Sequence, residues 1–270
     1  MSVNRDLSHT LKMKDGCSIP QLGLGTYQET PDSDILKAVA TAIQIGYRHI
    51  DTAEMYNNES FVGKGVRQSG VSRKEIFITS KVWPSNFGYD KTIAACKNSL
   101  TRLGMDYLDL YLIHWPQGRD YFQSWQALIQ LQKDGIVRSI GVSNFSSDQI
   151  KELADESGHL PAVNQVEFSP FNNTKKLLDY CKSQQVILEA YAPLTRGQKL
   201  DNRTINELAS TYNKTAANIL LRWALQHDVV IIPKSRQTHR IRENANIFDF
   251  EISAQDMILI DQLDEGFKTC

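Results

Sequence analysis

The feature that most constrains the fold of this chain is a repeated alternation of short apolar segments with longer amphipathic segments. From residue 21 onward the apolar runs recur at intervals of about 25 to 40 residues, which is typical of repeated βα units. Eight runs can be read directly: LGLGTY, RHIDTA, IFITSKV, LDLYLIH, RSIGVSN, AVNQVEF, VILEAYA and VVIIPK. Parallel strands need helical crossovers, so the pattern predicts an α/β fold, a closed (β/α)8 TIM barrel, with a doubly wound open sheet as the alternative.

Helical segments and one hairpin complete the predicted architecture. The segment SDILKAVATAIQIG places its apolar residues on one stripe of a helix, and Gly46 is a stop signal at its end. Before the first barrel strand, HTLKMKDGCSIP carries Asp15 and Gly16 between two short alternating runs, which predicts a β-hairpin closing the bottom of the barrel. Since no linker or change in composition divides the series, we expect residues 1–270 to form a single domain.

The charge balance restricts the partners of this protein. Thirty basic and thirty-one acidic side chains give a formal net charge of -1, which leaves no excess positive field for nucleic acid or an anionic bilayer. The amino-terminal segment lacks the apolar stretch of a secretory signal, and no segment approaches the roughly 20 apolar residues of a membrane span. We therefore expect a cytoplasmic protein, a monomer, that acts on a small molecule.

The cysteines and histidines show no arrangement typical of a metal site. The four cysteines lie far apart, without a C-x-x-C pair, and the six histidines form no H-x-x-x-H pattern. Zinc and other transition-metal sites usually show such spacings in the sequence. We expect no bound metal.

Polar or aromatic residues stand at the ends of seven consecutive predicted strands. The active site of a barrel lies at the carboxyl ends of its strands and in the following loops, here called the rim. These residues are Asp51, Lys81, His114, Ser143, Asn144, Gln165, Glu167, Tyr191 and Lys234. A carboxylate, an amine and an imidazole would be costly to bury without mutual partners, so we expect Asp51, Lys81 and His114 to form one network.

Tyr56 follows Asp51 by five residues, in a loop that can bring its phenol over the rim. A phenol with an unperturbed pKa of about 10 is a poor proton donor at neutral pH, and a neighbouring ammonium favours its ionised form. Lys81 can supply that charge, and Asp51 can keep Lys81 protonated. A neutral His114 can donate a hydrogen bond to a substrate oxygen beside the phenol, which suits the reduction of a carbonyl group.

Several motifs in a fixed order make the sequence similar to the aldo-keto reductases over nearly its whole length. They are GYRHIDTAEMYNNE, TSKVW, DLYLIHWP, RSIGVSNF, NQVEFSP and IPKSRQTHRIREN. The resemblance implies a catalytic tetrad of Asp51, Tyr56, Lys81 and His114, with Tyr56 as the proton donor. It implies that NADPH is the cofactor, although the glycine pattern of a Rossmann fold is missing.

The resemblance also implies which residues contact the cofactor. Ser143, Asn144 and Gln165 would hold the nicotinamide carboxamide and Tyr191 would stack on its ring. The remaining contacts implied are Gly25, Thr26, Asp51, Leu194, Glu243 and Asn244. Ala192 stands where many members of the family have serine, so one hydroxyl contact to the cofactor is either absent or supplied by Thr195.

A cluster of cations follows the last predicted strand. Lys234, Ser235 and Arg240 bring two positive charges and a hydroxyl to the segment PKSRQTHRIREN. Such a group can neutralise a 2′-phosphate, which distinguishes NADPH from NADH. The alternative is an ordinary solvated basic surface.

Aromatic residues in the loops predict the substrate pocket. Tyr27, Trp83 and Trp115 match pocket positions of the family, with Met55 and His114 beside them. An aromatic wall suits an aldehyde or ketone with an apolar face. The segment between His114 and the next helix is short, which favours an open pocket for small aldehydes, keto-aldehydes or ketones.

Two other functions remain compatible with the sequence. Lys81 at a strand end could form a Schiff base in an aldolase, although Asp51 beside it would favour the charged amine. The chain could also be a non-catalytic protein of the same fold that binds the nicotinamide cofactor or has a structural role.

Overall fold

The computed structural model describes residues 6–27 and 33–269, and within them the predicted strands are present. A two-stranded antiparallel hairpin comes first, formed by β1 (Thr10–Lys12) and β2 (Ser18–Pro20). The barrel strands are β3 (Leu24–Gly25), β4 (His49–Asp51), β5 (Phe77–Val82), β6 (Leu108–Ile113), β7 (Val137–Ser143), β8 (Val163–Glu167), β9 (Ile187–Tyr191) and β10 (Val230–Ile231). Each pairs in parallel with its neighbour in the sequence.

The first and last barrel strands meet and close the sheet. Leu22 forms a parallel bridge with Ile231, and Gly25 forms one with Lys234. The Gly23 amide also donates to the Ile231 carbonyl at 2.8 Å. The TIM barrel is thus confirmed, and the open-sheet alternative is wrong because the strand order never reverses. The strands on both sides of this junction are shorter than the sequence pattern suggests.

Helices surround the barrel. They are α1 (Ser33–Ile45), α2 (Glu59–Gln68), α3 (Tyr89–Leu103), α4 (Tyr121–Lys133), α5 (Ser147–Ser157), α6 (Lys175–Gln184), α7 (Arg203–Tyr212), α8 (Ala216–Gln226), α9 (Thr238–Ala245) and α10 (Ala254–Asp261). α3 ends at Gly104, whose φ of 65° a side chain would oppose, and α5 begins with a capping box between Ser146 and Gln149. None of the described helices is both long enough and apolar enough to cross a membrane.

The hairpin closes the bottom of the barrel by adding side chains to its interior. Met13 and Ile19 are buried there and pack with residues of four barrel strands and the segment before β8: Phe77, Leu110, Leu112, Ala162, Val163 and Val230. A larger apolar cluster fills the space between the strands and the helices. The lower barrel is therefore filled by apolar side chains.

The carboxyl-terminal segment crosses the rim beside β8 and β9. The amide and hydroxyl groups of Thr269 donate to Glu167 Oε1 at 2.6 and 2.8 Å. Lys199 Nζ, in the loop after β9, lies 2.6 Å from Glu265. These contacts tie the end of the chain to the loops of the rim.

Candidate active site

A buried ion pair lies at the centre of the rim. Lys81 ends deep inside the barrel with no exposed surface, and its Nζ contacts both carboxylate oxygens of Asp51, at 2.7 and 2.8 Å. The carbonyl of Thr52 accepts a third hydrogen bond at 2.9 Å. The ammonium thus donates hydrogen bonds to three oxygen atoms inside the barrel.

The phenol of Tyr56 is the fourth group near that ammonium. Its oxygen lies 3.5 Å from Lys81 Nζ, and the ammonium is 5.1 Å from the centre of the Tyr56 ring. Tyr56 stands in a short 3-10 turn, Glu54–Tyr56, immediately after β4. Asn57 follows in a left-handed conformation and ends this turn. The loop that the sequence predicts over the rim thus brings the phenol to the ion pair.

His114 is enclosed by aromatic rings at the end of β6. Its ring meets that of Tyr56 edge-on with centroids 5.7 Å apart, and that of Trp83 at 5.0 Å. Burial, reinforced by the charge of Lys81, holds the pKa of His114 well below its usual range. Its imidazole is therefore neutral at neutral pH. Nδ1 is buried without a hydrogen-bond partner among the described residues.

Ser143, Asn144 and Tyr191 form a second network beside His114. Asn144 Nδ2 donates to the His114 carbonyl at 3.1 Å and to Ser143 Oγ at 3.0 Å, while its Oδ1 accepts from the Tyr191 hydroxyl at 2.9 Å. Asn144 has a φ of 66°, a left-handed conformation that asparagine tolerates better than most residues. The strand ends of β6, β7 and β9 are thus joined by one amide.

Gln165 joins the two networks at the end of β8. The backbone carbonyl of Gln165 accepts a hydrogen bond from Ser143 Oγ at 2.8 Å, and its side-chain Nε2 donates one to Asp51 Oδ2 at 2.8 Å. The same Nε2 donates to Glu189 Oε2 at 2.9 Å. Glu189 is fully buried on β9, and sequence reasoning missed it. The one signal in the sequence is that this glutamate interrupts an otherwise apolar strand segment, VILEAYA.

The residues around Gly25 line a small groove next to the barrel junction. Thr26 donates from both its amide and its hydroxyl to the Asp51 carbonyl, at 3.1 and 2.8 Å. Lys234 and Ser235 face Gly25 and Thr26 across this groove. A Cβ atom at Gly25 would lie 2.7 Å from the Ile232 carbonyl, so only glycine allows this close approach of the two strands.

Three of the predicted residues of the last βα unit lie on α9. Arg240 is exposed and Glu243 is half-buried, whereas Asn244 is buried. The Glu243 carbonyl accepts from Asn218 Nδ2 at 2.8 Å, which fixes α9 to α8. The helix begins at Thr238, three residues after Ser235, so all five predicted residues belong to one short stretch of the chain.

The loop after β9 has an unusual backbone. Ala192, Thr195 and Arg196 have φ values of 48°, 50° and 51°, in the left-handed region that favours glycine. Leu194 is half-buried against the core. The Thr195 hydroxyl donates to the Leu194 carbonyl at 2.7 Å and accepts from the Lys199 amide at 3.2 Å. This hydroxyl stabilises the loop itself, so the serine contact that Ala192 lacks has no direct replacement in these bonds.

Aromatic residues surround the mouth of the site. The exposed ring of Tyr27 lies 5.0 Å from that of Tyr56, and Trp83 packs on His114. Met55 and Trp115 are half-buried in the turn before Tyr56 and in the loop after His114. The predicted pocket residues therefore come from the loops after β3, β4, β5 and β6.

Glu54 anchors this wall, and sequence reasoning missed it as well. Its carboxylate accepts from the Trp83 amide and, at 3.0 Å, from Asn86 Nδ2. Burial raises the pKa of Glu54 from its ordinary value. Its spacing of two residues from Tyr56 is a usable signal, because the turn that presents the phenol also presents this carboxylate.

The chain is similar to known proteins over nearly its whole length. The model of the Aldo/keto reductase family matches residues 21–265. A glyoxal reductase from Bacillus subtilis is 51% identical over 259 residues, which is 96% of this chain and 94% of that protein.

Solved structures are similar over the same extent. The crystal structure of an aldo/keto reductase from Brucella melitensis is 42% identical, with a TM-score of 0.92, and covers 95% of this chain and 100% of that chain. An aldo-keto reductase from Bombyx mori, solved in complex with NADP, is 35% identical with a TM-score of 0.92, covering 98% of this chain and 95% of that one.

Proposed function

The chain belongs to the aldo/keto reductase family, and we propose that it reduces small aldehydes, keto-aldehydes or ketones to alcohols with NADPH. Membership of the family makes it an oxidoreductase that acts on carbonyl compounds and uses a nicotinamide cofactor. The observation that carries the finer proposal is the position of Lys81, buried between the Asp51 carboxylate and the Tyr56 hydroxyl. That arrangement serves proton transfer.

Tyr56 supplies the proton in this proposal. Reduction of a carbonyl group creates negative charge on oxygen, and the phenol passes its proton to that oxygen. The ammonium of Lys81, 3.5 Å away, stabilises the phenolate that remains. Asp51 keeps the ammonium charged and in place through two hydrogen bonds.

His114 orients the substrate oxygen. A neutral imidazole has one donor, and Nδ1 is buried, so we assign the donated proton to Nε2. The carbonyl oxygen then lies between this donor and the Tyr56 hydroxyl. Because the pKa of His114 is so low, the imidazole cannot replace Tyr56 as the proton donor at neutral pH.

The side chains beside the ion pair fit a nicotinamide group. When bound, the reduced nicotinamide supplies a hydride to the carbonyl carbon. A carboxamide needs both donors and acceptors, and Ser143, Asn144 and Gln165 offer both kinds of atom at adjoining strand ends. Tyr191, held by Asn144, supplies an aromatic face for the ring.

In this proposal the protein prefers NADPH over NADH because positively charged side chains follow the last barrel strand, at the end of the site that would bind the adenosine part of the cofactor. Lys234 and Ser235 line the groove beside Gly25, and Arg240 follows on α9. In this proposal the three residues bind the 2′-phosphate, which NADH lacks. Arg240 is exposed, as a group that meets a solvent-facing phosphate would be. The adenine end lies near Glu243 and Asn244 in this arrangement.

A substrate of small size fits the short loops. Only residues 115–120 separate His114 from α4, and the aromatic wall of Tyr27, Trp83 and Trp115 lines the mouth without covering it. Glyoxal, the substrate in the name of the Bacillus subtilis relative, is accordingly the first compound to test.

The decisive experiment follows the loss of the near-ultraviolet absorbance of NADPH in the presence of glyoxal, other aldehydes, ketones, keto acids and sugars. We expect the wild-type protein to turn over small carbonyl compounds, and we expect the Tyr56→Phe variant to react much more slowly. A protein that binds NADPH and reduces none of these compounds would contradict the proposed function and favour a non-catalytic role.

A further inference from the structure

Glu189 is a buried carboxyl group that the reduction described above does not use. It lies on β9 opposite Gln165 in the strand register and has no exposed surface. A carboxyl group at such a place costs free energy unless its oxygens are bonded. Its Oε2 accepts from Gln165 Nε2 at 2.9 Å, so the main contact of Glu189 is with a residue of the site.

The amide nitrogen of Gln165 lies between two carboxyl groups. It donates one hydrogen to Asp51 Oδ2 at 2.8 Å and the other to Glu189 Oε2. An amide turned by 180° would place its carbonyl oxygen against the Asp51 carboxylate, where it would meet repulsion, and Asp51 Oδ2 and Glu189 Oε2 would each lose the donor that Nε2 supplies. Gln165 therefore has one favoured orientation, with Oε1 turned away from Asp51 and Glu189. Among the described residues, no donor is bonded to this Oε1.

The charges around Glu189 make this arrangement possible. The groups that face it are His49, Asp51 and Lys81. Burial first, and then the charge of Asp51, raises the pKa of Glu189 to about 8, so the group is largely neutral at neutral pH. Burial also lowers the pKa of His49 to about 3, and that imidazole is neutral. The single charge of Asp51 then balances that of Lys81, and Oε2 of Glu189 remains an acceptor.

We propose that Glu189 is a positioning residue that holds the Gln165 carboxamide with its oxygen toward the cofactor, where it accepts a hydrogen bond from the nicotinamide amide. This inference rests on the proposed function, which places Gln165 against the nicotinamide. Without Glu189, Asp51 is the only carboxyl group holding the amide, and one hydrogen of Nε2 has no acceptor. The amide is then held by one hydrogen bond instead of two, and its oxygen is less firmly fixed toward the cofactor.

A cofactor analogue tests this directly. In the 3-acetylpyridine analogue of NADPH a methyl group replaces the amide nitrogen, while the carbonyl oxygen remains. If Gln165 Oε1 accepts from the amide, the wild-type protein should bind NADPH about three- to tenfold more tightly than the analogue, which corresponds to one hydrogen bond. Dissociation constants from fluorescence titration measure this ratio without any turnover.

Three variants separate positioning from stability. Glu189→Met removes one of the two acceptors of Gln165 Nε2 and should lower the ratio clearly below that of the wild-type protein. Glu189→Gln can still accept from Gln165 Nε2 through its own carbonyl oxygen and should keep the ratio of the wild-type protein. Glu59→Gln is the matched control, since Glu59 is also buried and bonded, to Ser80 and Arg102, but does not touch Gln165. It should lower the Tm and leave the ratio unchanged.

Two outcomes would overturn the inference: a wild-type ratio near one, or a Glu189→Met protein that keeps the full ratio. Should Glu189→Met fail to fold, NMR of the wild-type protein decides. The Gln165 side-chain amide protons should exchange slowly and shift as Glu189 titrates, and fast exchange with no shift would contradict the proposal. Absence of turnover would count against the proposed function alone, because none of these measurements depends on it.

Discussion

Lys81 Nζ lies 2.7 and 2.8 Å from the two carboxylate oxygens of Asp51, and both side chains are buried inside the barrel. We predict that Lys81→Met abolishes most turnover, because the phenol of Tyr56 loses the charge that stabilises its ionised form. The carboxylate left behind is buried and unpaired, which should cost about 3 to 5 kcal/mol of stability. Thermal unfolding and NADPH consumption measure the two effects.

The double variant Asp51→Asn with Lys81→Met is the control for that experiment. It removes both charges, so much of the stability should return while turnover stays low. Recovery of turnover together with stability would show that the ion pair serves only the fold.

Tyr56→Phe should lower the rate by about 10²- to 10⁴-fold while leaving the dissociation constant of NADPH nearly unchanged. The change deletes the transferred proton but keeps the ring that packs against His114 and Tyr27. Single-turnover kinetics and fluorescence titration provide the two values. Equal losses in binding and rate would point instead to a structural role for the phenol.

Arg240→Ala should weaken NADPH binding by about ten- to hundredfold and NADH binding much less, since a charge-assisted contact to the 2′-phosphate is worth roughly 1.5 to 3 kcal/mol. The chemical step should be little affected. Arg242→Ala is the matched control, an exposed arginine on the same helix. If NADH binding falls as far as NADPH binding, Arg240 contacts the adenine or stabilises α9.

Glu54→Ala should raise the KM for carbonyl substrates about three- to tenfold, because the Trp83 amide and Asn86 lose their common acceptor and the aromatic wall shifts. NADPH affinity should stay the same. Glu75→Ala removes an exposed carboxylate at the other end of β5 and serves as the control. A KM that does not change would show that Trp83 is held by its packing alone.

The stability of the protein should depend on pH through Glu189. Its pKa rises from 4.5 in the unfolded chain to about 8 in the folded state, so the unfolded state releases this proton first as pH increases. This carboxyl therefore lowers stability progressively between about pH 4.5 and 8, with no further loss above.

Glu189→Gln lacks this titration, so its stability relative to the wild-type protein should increase with pH across the same window. Chemical denaturation at several pH values measures that difference. His49, with a folded pKa of about 3, contributes the opposite slope below about pH 6.5, which is why the comparison with the variant is required. A difference that does not vary with pH would mean that Glu189 is ionised in the folded state.

The sequence predicts the strands and the rim well because both depend on local signals. Apolar runs define the strands, and the residues that end them, such as Asp51, Lys81 and His114, follow from the parallel geometry. Glu189 could not be placed in this way. From the sequence alone, a glutamate in a strand is interpreted as a solvent-exposed residue. Only the strand register of the folded barrel shows that Glu189 lies opposite Gln165. Glu54 was missed because its partner, the Trp83 amide, belongs to the next loop, whose position depends on the assembled barrel.

The junction between β3 and β10 has a consequence for the dynamics of the molecule. These are the shortest strands of the barrel, and one bridge between them, Gly25 with Lys234, places a residue proposed to bind phosphate at the junction itself. A cofactor bound to both sides of this junction would stabilise the closure of the barrel, because its contacts are lost if the two segments separate.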